Sequence, residues 1–212
     1  MKVIEPYTHV FLEEGDGAKM LRHIERCGRI CYKSEDRITD GSAERFVKNI
    51  IQRGHEAVLE HASFSVLFVV DRGISHEIVR HRLASYCQES TRYCNYVNDK
   101  FGSEITVIKP YYLEEGSVAF EEWKTACRRA EEAYVWLIRG GYSPQEARAV
   151  LPNSLKTELV MTANLREWRT VFRLRCSEKA HPQMREVMTP LLLKCNERAP
   201  VIFEDIVKEV QC

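Results

Sequence analysis

The sequence lacks the features that mark exported, membrane-spanning and strongly charged proteins. No apolar run among its 212 residues approaches the ~20 residues that a membrane-spanning helix needs, and the opening residues, MKVIEPYTHV, lack the apolar core of a signal peptide. Lysine plus arginine and aspartate plus glutamate each number 31, so the formal net charge is zero. Long-range attraction to nucleic acid or to an anionic membrane is therefore not expected. We expect a cytoplasmic protein whose anion sites are local clusters of side chains.

Paired metal-binding motifs are absent as well. The eight cysteines include no Cys-x-x-Cys pair, and Cys27 with Cys31 would supply only two zinc ligands, so we expect reduced thiols and no structural metal. A His- and Glu-rich stretch, 55–61, has its histidines six residues apart, whereas the zinc-protease motif needs them four apart. Two interpretations of that stretch stay open: a turn whose side chains bond backbone groups, and a loop that contacts a ligand.

The pattern of apolar residues predicts alternating strands and helices. At 44% hydrophobic, the chain can bury an ordinary core, and no repeat or linker marks a boundary, so we expect one domain over residues 1–212. Strands are predicted over 2–12, 62–70, 104–109 and 154–163. Helices are predicted over 16–31, 42–53, 74–84, 117–139, from 143 onward, 164–174, 181–198 and 201–210.

Several of these helices have recognisable starting residues. Asp16 and Ser42 are expected as N-caps, and Ser143-Pro144-Gln145-Glu146 has the form of a capping box with proline at the first helical position. In the helix that begins near residue 164, the spacing of Arg166, Arg169 and Arg173 predicts a solvated face. Arg175 follows Leu174 near the apolar stripe, which distinguishes it from the other arginines.

The segment from Ile74 to Tyr96 contains more hydrogen-bonding side chains than a core segment can satisfy. Arg80-His81-Arg82 is predicted to lie at the end of the helix over 74–84, and Ser90 and Arg92 follow it. Fixed guanidinium and hydroxyl groups are typical of anion binding. Nearby tyrosines suggest stacking on a planar heterocycle. The alternative is a solvated, charged helix end.

Four motifs, in order, resemble those of the flavin-dependent thymidylate synthase family, which is unrelated to the thymidylate synthases with a cysteine nucleophile. They are Gly54-His55-Glu56 with Glu60-His61, then Arg80-His81-Arg82 followed after seven residues by Ser90 and by Arg92-Tyr93, then Arg148-Ala149-Val150-Leu151-Pro152, and finally Asn164-Leu165-Arg166 with Leu174-Arg175. One such block arises easily by chance, but four ordered blocks across most of the chain do not.

The resemblance implies a fold and a reaction. The fold is α+β, a mixed α/β single domain with a central, mostly antiparallel sheet flanked by helices, assembled as a homotetramer with shared active sites. The reaction is methylation of dUMP to dTMP, with 5,10-methylenetetrahydrofolate as carbon donor and FAD, reduced by NADPH, as hydride source. A metal-dependent hydrolase and a nucleic-acid-binding module are the alternatives from other classes.

The resemblance also implies roles for individual residues. The positions that would contact FAD are Ala57, Arg80, His81, Arg82, Gln88, Asn164, Arg166 and Thr170. The positions that would contact dUMP are Glu77, Ile78, Val79, Arg80, Gln88, Glu89, Ser90, Thr91, Arg92, Arg148 and Arg175. Arg175 is the candidate catalytic residue, because a guanidinium near uracil N3 or O4 would stabilise developing negative charge. Glu77, Cys87-Gln88 and Ala57 depart from the common family pattern.

Overall fold

The computed structural model describes residues 1–98 and 102–211. The described chain forms two compact units. Unit 1 contains Met1–Tyr7, Phe68–Arg80 and Cys87–Val160, and unit 2 contains Thr8–Leu67, His81–Tyr86 and the chain from Met161 onward. The expectation of one domain over 1–212 stays a prediction.

Six strands are present in the described residues. They are β1 (Lys2–Ile4), β2 (Tyr7–Val10), β3 (Ser63–Asp71), β4 (Ala84–Gln88), β5 (Thr106–Ile108) and β6 (Lys156–Asn164). β1 pairs with β5 in parallel, and the other four strands form a sheet in the order β2-β3-β6-β4. A single strand over 2–12 was the wrong expectation, because the chain leaves the extended ladder at Pro6, which has no N–H to donate.

The direction of the central pair follows from two hydrogen bonds. The hydroxyl of Ser65, early in β3, contacts that of Thr162, late in β6, at 2.7 Å. The backbone N–H of Arg72, just after β3, donates to the carbonyl of Leu155, just before β6. Early residues of one strand therefore pair with late residues of the other, so these strands are antiparallel. The expected mixed α/β class with an antiparallel sheet is confirmed.

Eight α-helices lie in the described part of the chain. They are α1 (Asp16–Ile30), α2 (Ser42–Gln52), α3 (Arg72–Ile78), α4 (Val118–Arg139), α5 (Pro144–Ala147), α6 (Leu165–Arg175), α7 (Pro182–Arg198) and α8 (Pro200–Gln211). None of these described helices is both long enough and apolar enough to cross a membrane.

The helix starts agree with the sequence in some places and differ in others. The capping box at Ser143 is confirmed, although α5 is a single turn. Asp16 and Ser42 are not N-caps: each is the first helical residue, and the cap positions are Gly15 and Gly41, with φ of 87° and 78°. Both are left-handed conformations that glycine adopts without steric cost, which is why the cap falls on glycine and not on the polar residue after it.

The helix predicted over 74–84 ends at Ile78, and β4 begins at Ala84. Its start is sharp, because the carboxylate of Asp71 accepts a 2.8 Å hydrogen bond from the N–H of Ile74. Its end comes early because residues 84–88 are taken up as a strand of the sheet beside β6. Arg80-His81-Arg82 therefore lies in the connection between α3 and β4, not on a helix.

Each unit has its own core. In unit 1, α4 and β5 contribute to a buried cluster consisting of Tyr96, Ile105, Val107, Cys127, Tyr134, Ala147 and Leu155. In unit 2, Trp168 of α6 stacks on Phe64 with ring centroids 4.9 Å apart and donates its indole N–H to the Phe64 carbonyl. These contacts bury the apolar face of α6. The polar residues of α6 contact other elements of the fold.

Arg169 corrects the expectation of a solvated basic face on α6. Its side chain is fully buried, and its guanidinium bonds the carboxylate of Asp205 at 2.8 and 2.5 Å and that of Glu56 at 3.1 Å. It also donates to the carbonyl of Ile202. The spacing of the arginines was compatible with solvation, but α8 covers this side of α6 and supplies the acidic partner.

Candidate active site

The three signature residues Arg80, His81 and Arg82, in the connection between α3 and β4, differ in their exposure. Arg80 and Arg82 are exposed, whereas His81 is buried, with 7% of its side-chain surface accessible. Among the described residues, neither Arg80 nor Arg82 forms an ion pair. The boundary between the units passes between Arg80 and His81. The two guanidiniums are therefore available to an anion, and the imidazole is engaged inside the protein.

His81 is held from both sides of its ring by residues of unit 2. Nδ1 lies 3.3 Å from a carboxylate oxygen of Glu167, and Nε2 lies 3.0 Å from Nε of Arg175. The hydroxyl of Tyr86 donates to the backbone carbonyl of His81 at 2.6 Å. Since the guanidinium can only donate, Nε2 must be the acceptor and Nδ1 carries the proton.

The electrostatics agree with that tautomer. Burial, and then the neighbouring positive charge of Arg175, lowers the pKa of His81 from 6.5 to about 4, so the imidazole is neutral near pH 7. Burial raises the pKa of Glu167 and raises that of Tyr86 to about 12. His81 thus bridges an acid and a base without carrying charge itself.

The other residues assigned to FAD surround the start of α6. The side chain of Asn164 caps the helix by accepting from the N–H of Glu167 at 2.8 Å. Arg166 forms an exposed 2.6 Å ion pair with Glu60, and the exposed Thr170 donates its hydroxyl to the carbonyl of Arg166. Ala57 is exposed and offers no polar side-chain atom. Their roles toward FAD remain predictions.

The His- and Glu-rich stretch forms a 3-10 turn, Glu56–His61. Its acidic side chains bond arginines of α6 and not the backbone of the turn: Glu56 pairs with Arg169 and Glu60 with Arg166. In the described chain no three metal-ligating side chains come together. A longer pair, 3.9 Å, joins Glu56 to Arg173, so three ion pairs of different burial attach the turn to α6.

Residues 88–92, which we call the nucleotide loop after their predicted contacts with dUMP, are anchored in unit 1. The amide of Gln88 donates to Ser75 at 2.9 Å and to Thr157 at 3.3 Å. Glu89 pairs with Lys156 at 2.9 Å and accepts a 2.9 Å bond from the hydroxyl of Tyr96. These contacts join the start of the loop to the sheet and fix the backbone that follows.

The far end of the nucleotide loop contacts α5 and Arg148, the first residue of the third motif. Thr91 is buried, and its hydroxyl accepts from the Arg148 guanidinium at 3.4 Å. Arg92 donates to the amide oxygen of Gln145 at 3.1 Å, and its guanidinium carbon lies 5.3 Å from the ring centre of Tyr93. The loop and the Arg148 segment, far apart in sequence, thus form one cluster.

The remaining residues predicted to contact dUMP differ in their exposure. Ser90 accepts through its backbone carbonyl from the N–H groups of Tyr93 and Cys94, which closes the loop into a turn. Glu77, Ile78 and Val79 lie at the end of α3, with Ile78 fully buried and Val79 37% exposed. Their contacts with dUMP, like that of Arg175 in unit 2, stay predictions.

Sequence reasoning missed two residues that hold candidate site residues in place, one in each unit. Glu167 is the acid that contacts His81, and Lys156 is the base that holds Glu89. Glu167 stands three residues after Asn164, where an acid is ordinary at a helix start, so its position carried no functional signal. Lys156 lies in a strand outside every motif. Only the folded chain shows what either side chain contacts.

The cysteines of the described chain are all free thiols. Burial raises the pKa of Cys176 and of Cys195 to about 12, which keeps both protonated and unreactive. Cys87 is exposed and Cys94 half-buried, next to the nucleotide loop. Cys212 lies outside the described residues.

Comparison with known proteins identifies the family. The family model described as "Thymidylate synthase complementing protein" matches residues 18–201. The chain belongs to the flavin-dependent thymidylate synthase family. It is 34% identical over 189 residues to the enzyme of that name from Geobacter sulfurreducens, covering 86% of this chain and 80% of the relative. It is 38% identical over 173 residues to that of Pyrococcus horikoshii, covering 79% and 70%. The resemblance seen in the four motifs, and the expectation of an enzyme, are confirmed.

The residues predicted to contact FAD and those predicted to contact dUMP fall mostly in different units. Most FAD positions fall in unit 2, and most dUMP positions fall in unit 1. Arg80 and Gln88, assigned to both ligands, are in unit 1, and Arg175 is in unit 2. The nucleotide-loop cluster and the His81 cluster are therefore two separately built sets of side chains.

Proposed function

We propose that the chain converts dUMP to dTMP by reductive methylation. The carbon comes from 5,10-methylenetetrahydrofolate, and NADPH supplies the reducing equivalents through FAD. Membership of the flavin-dependent thymidylate synthase family supports this reaction class. The observation that carries the proposal is the cluster formed by the nucleotide loop and Arg148.

That cluster suits a nucleoside monophosphate. Arg92 and Arg148 are exposed cations beside the hydroxyl-bearing residues Ser90 and Thr91. Guanidinium and hydroxyl groups are the donors that a phosphate prefers, and the fixed fork of arginine recognises two oxygens at once. Glu89 does not repel the anion from this region, because Lys156 neutralises it. We assign the phosphate of dUMP to Arg92, Arg148 and Ser90.

The residues assigned to FAD fit an anionic dinucleotide. Arg80 and Arg82 present exposed guanidiniums with no ion-pair partner in the described chain, which matches a diphosphate. Arg166 and Asn164 add donors near the start of α6. Ala57 contributes only backbone groups. FAD, when bound, supplies the redox chemistry that the side chains of a protein lack.

Arg175 is proposed to act electrostatically. Polarising the uracil ring without a thiolate requires a cation near N3 or O4, where negative charge develops, and a positioned guanidinium stabilises that charge without forming a bond. No cysteine is required as a nucleophile. The buried thiols of Cys176 and Cys195 stay protonated, and we assign no covalent role to Cys87 or Cys94.

We further propose a cytoplasmic homotetramer with active sites shared between subunits. Unit 1 exposes several large apolar side chains, including Val118 at 81%, Trp136 at 70% and Tyr112 at 62%. Apolar surface of this kind is commonly covered in an assembly. In such an assembly, the exposed Arg80 and Arg82 of one subunit can contact a ligand that a neighbouring subunit also binds.

The test uses purified protein reconstituted with FAD. We expect a yellow protein with flavin absorption bands that bleach on addition of NADPH, and dTMP formation when dUMP and methylenetetrahydrofolate are both present. A Cys87→Ala, Cys94→Ala double variant should keep its turnover. Failure to bind FAD, or NADPH oxidation without dTMP in the complete mixture, would reject the proposal. Sedimentation of the same sample tests the tetramer.

A further inference from the structure

We propose that Glu167 and His81 are positioning residues that orient the guanidinium of Arg175 for its proposed work on the pyrimidine. This inference rests on the proposed function, because it concerns how the candidate catalytic arginine is held. The three side chains form a linear chain of contacts, Glu167 to His81 to Arg175, entirely within unit 2.

The direction of each hydrogen bond is set by chemistry. Arg175 uses Nε–H, the one guanidinium N–H on the side of its own stem, to bond Nε2 of His81 at 3.0 Å. An imidazole that accepts at Nε2 must carry its proton at Nδ1, and a carboxylate oxygen of Glu167 lies 3.3 Å from that atom. Glu167 thus selects the tautomer that Arg175 needs.

The contact at Nε constrains the orientation of the whole guanidinium. The planar fork of a guanidinium has two terminal nitrogens, and fixing Nε fixes the plane in which both lie. Orientation within about 10–20° is what a preorganised electrostatic site requires. A loosely held Arg175 would still be charged, but it would spend less time in the orientation that stabilises the uracil.

Both ring nitrogens of His81 have partners in the protein, and only 7% of its side-chain surface is accessible. Its sequence neighbours Arg80 and Arg82 are exposed. The three signature residues therefore divide into two exposed cations and one buried spacer. This division accounts for a histidine between two arginines at this point of the chain.

Proton uptake by His81 would break the chain. The charged groups that contact the ring are Arg175 and Glu167 of α6. The neutral hydroxyl of Tyr86 in β4 is a further titratable group nearby, and it bonds the backbone carbonyl of His81 and not the ring. A protonated imidazole has no lone pair at Nε2 for the Nε–H of Arg175 and places two cations in contact. The positioning role requires the neutral ring.

The test compares Glu167→Ala with Glu167→Gln in the FAD-loaded enzyme. Glu167→Ala removes the acceptor for Nδ1–H and should lower kcat about tenfold to a hundredfold, with FAD content unchanged. Glu167→Gln keeps a carbonyl oxygen as acceptor and should stay within about threefold of wild type. Ser65→Ala, which removes a hydrogen bond elsewhere in unit 2, controls for general loosening. A Glu167→Ala enzyme no slower than Ser65→Ala would overturn the inference.

A double-mutant cycle separates positioning from a merely structural effect. Arg175→Lys keeps the positive charge but has no Nε–H to offer His81. If Glu167 acts through Arg175, adding Glu167→Ala to Arg175→Lys should change kcat and the dUMP dissociation constant less than threefold. If the loss of kcat in the double variant is the product of the two single losses, Glu167 acts independently of Arg175. That result overturns this inference and leaves the proposed function standing. A wild-type holoenzyme that forms no dTMP would overturn the proposed function, and this inference with it.

Discussion

Arg148 donates a hydrogen bond to the hydroxyl of Thr91, with Nη1 and Oγ1 3.4 Å apart. The bond ties the nucleotide loop to a segment that follows it by more than fifty residues. It is long and leaves most of the guanidinium exposed, so Arg148 is held at one point and open to a phosphate at the others. The proposed phosphate site depends on this contact.

Replacing Thr91 by valine keeps the volume of the buried side chain and removes the hydroxyl. We expect KM for dUMP to rise about threefold to tenfold, because Arg148 loses the contact that orients it, whereas FAD binding should not change. Steady-state kinetics and flavin absorption measure the two effects. Thr162→Val removes a hydroxyl bond to Ser65 and is the matched control. An equal rise in KM in both variants would contradict the role of Thr91.

Arg175→Ala should abolish dTMP formation, with a loss of at least about a hundredfold, while FAD stays bound. A guanidinium that stabilises developing charge contributes mainly to kcat. The ratio of FAD to protein after gel filtration, together with a dTMP assay, checks both parts. Glu178→Gln, an exposed residue beyond α6, should behave like wild type. Near-normal turnover of Arg175→Ala would remove this residue from the mechanism.

The buried His81 should make the protein less stable in mild acid. Its pKa is about 4 in the folded protein and 6.5 ordinarily, so the unfolded chain binds the proton first as the pH falls. The free energy of unfolding should therefore decrease by roughly 3 kcal/mol as the pH falls from about 7.5 to 4, and His81 should contribute no pH dependence above about pH 7.5. Urea unfolding of wild type and His81→Gln across this range measures the difference. Equal acid dependence in both proteins would show that His81 titrates normally.

The buried ion pairs of Arg169 should contribute to stability far more than an exposed pair. Arg169→Met removes the buried partner of Glu56 and Asp205, leaves them only the more exposed Arg173, and should cost about 3 kcal/mol of unfolding free energy. Lys208→Met removes an exposed pair with Glu204 and should change the unfolding free energy far less. Denaturant unfolding compares the two variants, and similar losses would mean that the buried network is dispensable.

Some elements of the fold could be predicted from the sequence, and others could not. The long helix α4 and the helix start at Asn164 were predictable, because periodicity and capping act over neighbouring residues. The helix over 74–84 was not, because its last turns become β4 through pairing with a distant strand. Arg169 shows the same limit: its spacing resembled a solvated face until α8 supplied Asp205.

The sequence alone determined the family, because its four ordered motifs can be recognised without a structure. The same motifs identified Arg80, Ser90, Arg148 and Arg175 as candidate site residues. The tertiary structure alone decided how those residues are held. Side chains far apart in the chain set the tautomer of His81 and the anchoring of Glu89. Hydrogen bonds and burial depend on which surfaces meet, and a linear pattern of residue types does not contain that information.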